Sequence, residues 1–331
     1  MDEQTLSDFH ARTEAALFEM RRVIVGQSAM LERVLVALLA GGHVLLEGVP
    51  GLAKTLTVKT LGEVVGGTFK RIQFTPDLVP SDLVGTRIWN PGAAAFATEL
   101  GPVFCNFLLA DEINRAPAKV QSALLEVMQE RQVTIGSTTY PVPEPFLVLA
   151  TQNPIEAEGT YPLPEAQVDR FLLKVLVDYP HSAEEAAVVQ RSLAPSAELR
   201  QTLGLADVLA LQRAILEVYV DPLVVDYAVA LARATRHPAD YGAPDVAPYV
   251  AYGASPRGAI GLVHAGRALA LLRGRAYVLP HDLLELAKDV LRHRLVLTYQ
   301  ALAEELSADA ILDPVVAAVP APEIELRRDV A

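Results

Sequence analysis

"LLEGVPGLAKTL", Leu45 to Leu56, is the stretch on which the reading of this chain turns. It follows a candidate strand, "HVLLE" from His43, and precedes a helical pattern over Lys54 to Val65. Only between a strand and a helix does a glycine-rich loop carry meaning. Phosphate binding needs successive backbone N–H groups aimed into one hollow, a helix N-terminus behind them, and a cation that reaches the terminal phosphates. Gly48, Gly51, Lys54 and Thr55 stand at the matching positions, with Val49 and Leu56 completing the loop. Pro50 has no N–H, so the cradle is expected from Gly51, Leu52, Ala53, Lys54 and Thr55. Ala53 stands where a glycine is usual. A negative φ is expected there, as for a residue entering a helix, and its methyl would then cause little strain. The alternative reading of the loop is a plain capped turn from strand to helix.

A second stretch, "FLLADE" from Phe107, is an apolar run ending in two adjacent carboxylates. Open α/β sheets bind ligands at the carboxyl ends of their strands. There Asp111, with the Thr55 hydroxyl, is placed to hold Mg²⁺, and Glu112 to polarise a water for attack on a γ-phosphate. A solvated loop or helix cap is the other reading of two such acids. A third apolar run, "FLVLAT" from Phe146, delivers Gln152 and Asn153, and an amide there suits orienting the water or sensing the phosphate; an Asn-Pro turn is the alternative.

Working outward, "FKRIQF" from Phe69 and "LLKVLV" from Leu172 bring the candidate strands to five, and helical patterns such as Ala118 to Arg131 separate most of them. Strands alternating with helices imply a parallel sheet covered on both faces. Two helices precede it, Leu6 to Arg22 and Gln27 to Leu39, with "VIVGQ" between them. Two interruptions, Ile88 to Val103 and Gln132 to Pro143, carry Pro-Gly or Gly-Ser between short extended runs, as hairpins inserted into an α/β core would. After Pro180 strand signals fade. The expected division is residues 1–180 as an α/β domain and 181–331 as an all-helical domain, its tail "VPAPEIELRRDVA" frayed.

Composition bounds the function. The 331 residues carry a net charge of −12, which opposes binding to nucleic acid or anionic membrane. No apolar run is long enough to span a bilayer, and the acidic start "MDEQTLSDFH" lacks the pattern of a signal peptide, so a cytoplasmic setting is expected. One cysteine, Cys105, excludes an internal disulfide, and none of the seven histidines stands at metal-ligand spacing to another His or Cys.

The order "VIVGQ", "GVPGLAKT", "FLLADEINRAPAKVQSALLEVMQER", "ATQNPIEAEGTYPLPEAQVDRF" and "GASPRG" closely resembles the MoxR family of AAA+ ATPases, over nearly the whole chain. Such proteins also carry Ala before the P-loop Lys. The resemblance implies a P-loop AAA+ domain with a five-stranded parallel sheet and inserted hairpins, followed by an all-helical lid. It implies ATP and Mg²⁺ as cofactors. It places Val25, Gly26 and Gln27 near the adenine, makes Asn153 sensor 1 and Arg257 sensor 2, and makes Arg170 an arginine finger acting on a neighbouring subunit. A guanidinium supplied in trans is worth roughly 10³ to 10⁵ in rate. Taken by itself, Arg170 also reads as a helix-end salt bridge and Arg257 as a helix cap. Asn114 and Arg115 are distinctive in the pattern without an assigned role.

The resemblance further implies a homo-oligomeric ring, usually a hexamer, and chaperone-like remodelling in complex assembly or metallo-enzyme maturation with a von Willebrand factor A domain partner. The hairpins resemble inserts that face the pore or a surface of such rings; their apolar residues would equally serve packing on their own domain. Rival readings are a nucleic-acid motor, a magnesium-chelatase-like subunit, and a low-turnover nucleotide-dependent scaffold.

Overall fold

A computed structural model describes residues 2–49, 51–92, 94–154, 159–193 and 197–324. Pro50, residues 155–158 of the "NPIEAEGTY" stretch and the part of the tail from 325 to 331 lie outside the described residues. The chain forms two compact units. An α/β unit comprises Glu14–Arg170 with Val175–Leu209, and a helical unit comprises Met1–Thr13, Phe171–Lys174 and Ala210–Ala331.

In chain order α1 (Glu3–Val23) and α2 (Ser28–Leu39) precede β1 (Val44–Glu47), α3 (Lys54–Val65) and β2 (Phe69–Gln73). A short α4 (Pro80–Val84) leads into the hairpin of β3 (Gly85–Asn90) and β4 (Ala95–Leu100). Then come β5 (Phe107–Asp111), α5 (Ala118–Glu130), the hairpin of β6 (Gln132–Ile135) and β7 (Thr138–Pro141), β8 (Leu147–Gln152), α6 (Glu165–Val168), β9 (Leu173–Leu176) and α7 (Ser182–Ser192).

Five strands form one parallel sheet in the order β2-β5-β8-β1-β9. Sequence and position agree strand by strand. β1, β5 and β8 lie inside the sheet, covered on both faces, and their apolar runs are buried up to the last residue. β2 and β9 are the edges, and each mixes buried with exposed side chains. In register, Glu47 lies beside Gln152 and Gln73 beside Asp111, so one end of the sheet gathers four polar side chains. Below them sits His43, 4% exposed: its Nδ1 accepts from the Val148 amide at 3.0 Å, and its Nε2 lies 3.2 Å from the Met128 carbonyl. Burial and the Arg131 charge hold its pKa down at about 3, so the ring is neutral.

Both inserted hairpins are present. They differ in what they cover. Val133 and Ile135 of the second are buried, whereas Trp89 and Phe96 of the first are 50% and 56% exposed, stacked edge to face at 5.1 Å with Arg87 over the Phe96 ring. The Tyr140 hydroxyl donates to Thr98 Oγ1 at 3.2 Å and ties the two hairpins together.

The helical unit is built from α8 (Leu205–Ala214, of which its last residues belong here), α9 (Pro222–Arg236), α10 (Pro256–Leu272), α11 (Pro280–Leu291), α12 (Tyr299–Ala303) and α13 (Ala308–Ala318). Asp221 caps α9 and Ser307 caps α13, each accepting from a first-turn amide. Against α11, α10 presents Gly266, where a methyl would sit 2.8 Å from Leu283 Cδ1. The unit is not wholly helical: β10 (Val250–Tyr252) and β11 (Val296–Leu297) form a small antiparallel pair that the sequence pattern did not signal, because two or three residues are too few for an alternation to show.

Candidate functional site

The loop between β1 and α3 packs tightly at its start. A methyl on Gly48 would lie 2.4 Å from the Val177 carbonyl oxygen, and the Gly48 amide donates to Gln152 at 3.3 Å. Gly51 has φ of +87°. Ala53 departs from expectation: its φ is +58° and ψ +15°, in the left-handed region, where a negative φ was expected. The physical reason lies in the helix boundary. α3 begins at Lys54, so Ala53 is still the turning residue, and left-handed residues are what swing neighbouring amides into one concave nest. Its methyl therefore carries strain of about 1 kcal/mol. The Ala53 carbonyl accepts from both the amide and the hydroxyl of Thr57, at 2.9 and 3.0 Å.

Lys54 reaches back over the loop, its Nζ donating to the Gly48 carbonyl at 2.6 Å. Burial pulls its pKa below the usual lysine range, and the carboxylates of Asp111, Glu112 and Glu47 partly restore it. A cleft of about 430 Å³ is lined by Gly51, Ala53, Lys54, Thr55 and Leu56 on one side and by Asp111, Glu112, Thr151 and Asn153 on the other, with Arg71 and Gln73 at its edge. The loop, the two strand-end carboxylates and the strand-end amide are thus brought together.

Asp111 Oδ1 accepts from the Thr151 hydroxyl at 2.6 Å, and the same hydroxyl accepts from the Glu112 amide at 2.8 Å. Asp111 Oδ2 accepts from Arg71 Nη2 at 2.7 Å and Nε at 3.1 Å. Glu112 Oε2 accepts from Gln73 Nε2 at 2.8 Å and meets Arg115 Nε at 2.8 Å. Arg115 thereby acquires a place in the site. Glu112 has φ of +55°, a left-handed residue other than glycine, and such strain collects at functional sites. Gln121, fully buried, braces the turn that follows, donating to the carbonyls of Ile113, Ala116 and Tyr161.

Arg71, Gln73, Thr151 and Gln121 were not singled out in the sequence. Arg71 and Gln73 stand there only as polar residues of the candidate strand "FKRIQF", and the pairing of β2 with β5 is what brings them to Asp111.

Val25 lies in an adjoining cleft of about 580 Å³, walled by Ile24, Leu56, Val188 and Leu199. Ala53 and Leu56 line both clefts, so a mainly apolar cleft and a polar one meet at the N-terminus of α3. Gly26 and Gln27 are both left-handed, at +65° and +54°, and a methyl on Gly26 would sit 2.7 Å from the Glu184 carboxyl carbon. The Gln27 side chain donates to the Asp178 carbonyl at 2.8 Å. Val49 and Leu52 belong to the loop backbone, Leu52 turned inward at 7% exposure.

Arg170 lines neither cleft. It is exposed beside Glu126 and Glu130 in a separate hollow, and among the described residues its guanidinium makes no ion pair. Arg257 belongs to the helical unit, in the first turn of α10, where Ser255 caps by accepting from the Arg257 amide at 3.2 Å. A cation in a helix's first turn opposes the helix dipole.

The donor set of Asp111 and Thr55 is oxygen only, which fits a hard divalent cation such as Mg²⁺. No helix among the described residues is long and apolar enough to cross a membrane.

Comparison with known proteins agrees with this geometry. Residues 43–173 match the ATPase family associated with various cellular activities (AAA), and residues 242–315 match the AAA lid domain. The chain is 58% identical over 311 residues to Chaperone MoxR1 of Mycobacterium tuberculosis, covering 94% of this chain and 82% of that protein. It is 33% identical to Protein MoxR of Paracoccus denitrificans over 97% and 99% of the two chains. A crystal structure of a Cytophaga hutchinsonii protein superposes with a TM-score of 0.91 at 48% identity, over 97% of this chain and 98% of that one. With the strand-flanked phosphate loop, the paired carboxylates and relatives along its full length, this chain belongs to the MoxR family of AAA+ ATPases.

Proposed function

We propose that the chain is a Mg²⁺-dependent ATPase that works as a ring and remodels other proteins as a chaperone does. The observation that carries the reading is the meeting of two clefts over the N-terminus of α3, one apolar and one lined by the loop and the acids. A nucleotide laid across that meeting point has its base against Val25 and Leu56 and its phosphates against the amides of Gly51, Leu52, Ala53, Lys54 and Thr55. Lys54 leaves the Gly48 carbonyl for the terminal phosphates. Asp111 and Thr55 would hold Mg²⁺, which would supply positive charge against the charge that develops on the phosphates.

Glu112 polarises the attacking water. Its Oε2 is already occupied by Gln73 and Arg115, so Oε1 is the oxygen that takes the water's proton. Asn153 orients that water from the end of β8. Arg170, exposed and without an ion pair among the described residues, supplies a guanidinium to the nucleotide of the next subunit, and Arg257 is the sensor 2 arginine that the family resemblance implies. Every complete site then needs two chains, and a hexameric ring satisfies this for each subunit.

We further propose that clients are reached through a von Willebrand factor A domain partner, in complex assembly or metallo-enzyme maturation. The net charge of −12 weighs against a nucleic-acid motor.

The test is mixing. Arg170→Ala and Lys54→Ala proteins should each hydrolyse ATP at background rate, and mixtures should recover activity, because some interfaces join an intact loop to an intact arginine. No recovery at any ratio would remove Arg170 as a finger in trans.

A further inference from the structure

The cleft holds a guanidinium that the hydrolytic scheme does not use. Arg71 projects from the edge strand β2 over the end of β5 and gives two N–H groups to a single oxygen, Asp111 Oδ2, at 2.7 and 3.1 Å. The two carboxylate oxygens of Asp111 are not equivalent. Oδ1 is turned toward Thr151, which is 1% exposed, and its hydroxyl bond of 2.6 Å pins the carboxylate from the buried side. Oδ2 faces the Arg71 side chain, which is 49% exposed. The oxygen available to a metal is therefore the one that carries the arginine.

Arg71 is also held in that position rather than merely near it. Its Nη2 donates a further bond to Gln73 Oε1 at 2.9 Å, and the Gln73 amide continues to Glu112. Arg71 and Gln73 are two residues apart on one strand, so both side chains leave the same face. A divalent cation and a guanidinium on the same carboxylate oxygen repel at close range, in a cleft whose walls weaken water's screening. An exposed pair of this kind contributes little by itself, so exchange is cheap.

We infer that Arg71 and the divalent cation compete for Asp111 Oδ2, so that Arg71 sets the metal affinity of the site and is turned out when the metal enters. The inference rests on the nucleotide reading of this cleft. It names Arg71 as a positioning residue that acts through Asp111, not as a group that touches the reacting atoms.

Metal binding can be read without turnover. The full chain, saturated with a non-hydrolysable ATP analogue, is titrated with Mn²⁺, and the free aqueous ion is followed by electron paramagnetic resonance. Arg71→Ala should bind Mn²⁺ roughly two- to fivefold more tightly than the parent, the range open to an exposed ion pair. Arg71→Lys should fall between, because an ammonium keeps the charge and loses the two-donor fork. Unchanged or weaker Mn²⁺ binding by Arg71→Ala would overturn the inference, and weaker binding would mean that Arg71 braces Asp111 for the metal. If the parent itself binds no Mn²⁺ in the presence of the nucleotide analogue, it is the nucleotide reading that fails. The partial exposure of Arg71 makes misfolding an unsuitable explanation for either result, and an unchanged thermal midpoint checks it.

Discussion

Each unit holds an arginine–aspartate pair, and the two pairs do different work. In the helical unit Arg275 grips Asp282 through both oxygens, at 2.6 and 2.8 Å, with the carboxylate 1% exposed and also accepting from the Leu279 amide at the start of α11. In the α/β unit Arg71 grips Asp111 through one oxygen, at the open edge of a cleft. The carboxylate of the first pair is sealed from solvent, with Arg273 3.8 Å away as its second cation. The pair is a joint between a loop and a helix. The second faces solvent on the arginine side, and its carboxylate stands at a strand end where ligands bind. The same chemistry is structural where it is sealed and exchangeable where it is open.

The sharpest way to break this comparison is to remove both arginines in turn. Arg275→Ala strands a buried carboxylate and should lower the stability of the helical unit by roughly 3 kcal/mol, the lower end of what an uncompensated buried charge costs, since Arg273 stays 3.8 Å away. Arg71→Ala should change stability by less than about 1 kcal/mol. Urea unfolding measures both, and equal losses would erase the distinction.

A smaller effect comes from buried histidines, one in each unit. His43 is neutral with a pKa of about 3, and His293 is pushed well below its ordinary 6.5, chiefly by burial and then by Arg294. The folded pKa lies below the unfolded one, so the unfolded chain takes up protons first as pH falls. Stability from this source is complete above pH 6.5 and is lost on the way down toward the folded values. At pH 5 His43 alone should cost about 2 kcal/mol relative to pH 7. In His43→Asn, whose stability at pH 7 is lower, the fall between pH 6.5 and 5 should be shallower than in the parent. An equally steep fall would assign the acid sensitivity elsewhere.

The smallest expected effect is a gain. Ala53→Gly relieves a left-handed alanine and should leave stability level or raise it by up to about 1 kcal/mol, with calorimetry as the readout. A clear loss would show that the methyl packs usefully at the shared wall of the two clefts.

Much of the fold was legible because burial writes itself into runs of residue types. The five sheet strands follow the apolar runs, and α3 spans Lys54–Val65 as its pattern indicates. The loop and the adjacent acids were legible because their spacing along the chain is the signal. What stayed hidden lies across the chain instead of along it. Arg71 is 40 residues from Asp111, and Thr151 is 40 from it on the other side, and only the strand order β2-β5-β8 makes the three neighbours. The sign of φ at Ala53 was hidden for a different reason. Residue type favours the right-handed region for alanine, and the demand of the loop for inward amides overrode that preference.

The account's central claim is that the strand-end carboxylate Glu112 activates water in a cleft that binds ATP through the loop before α3. Glu112→Gln tests it most directly, with ATP affinity and steady-state phosphate release measured on the same assembled protein. The account predicts near-parental ATP binding with hydrolysis slowed by about 10² to 10⁴. Near-parental hydrolysis would contradict it, and so would a variant that no longer binds ATP.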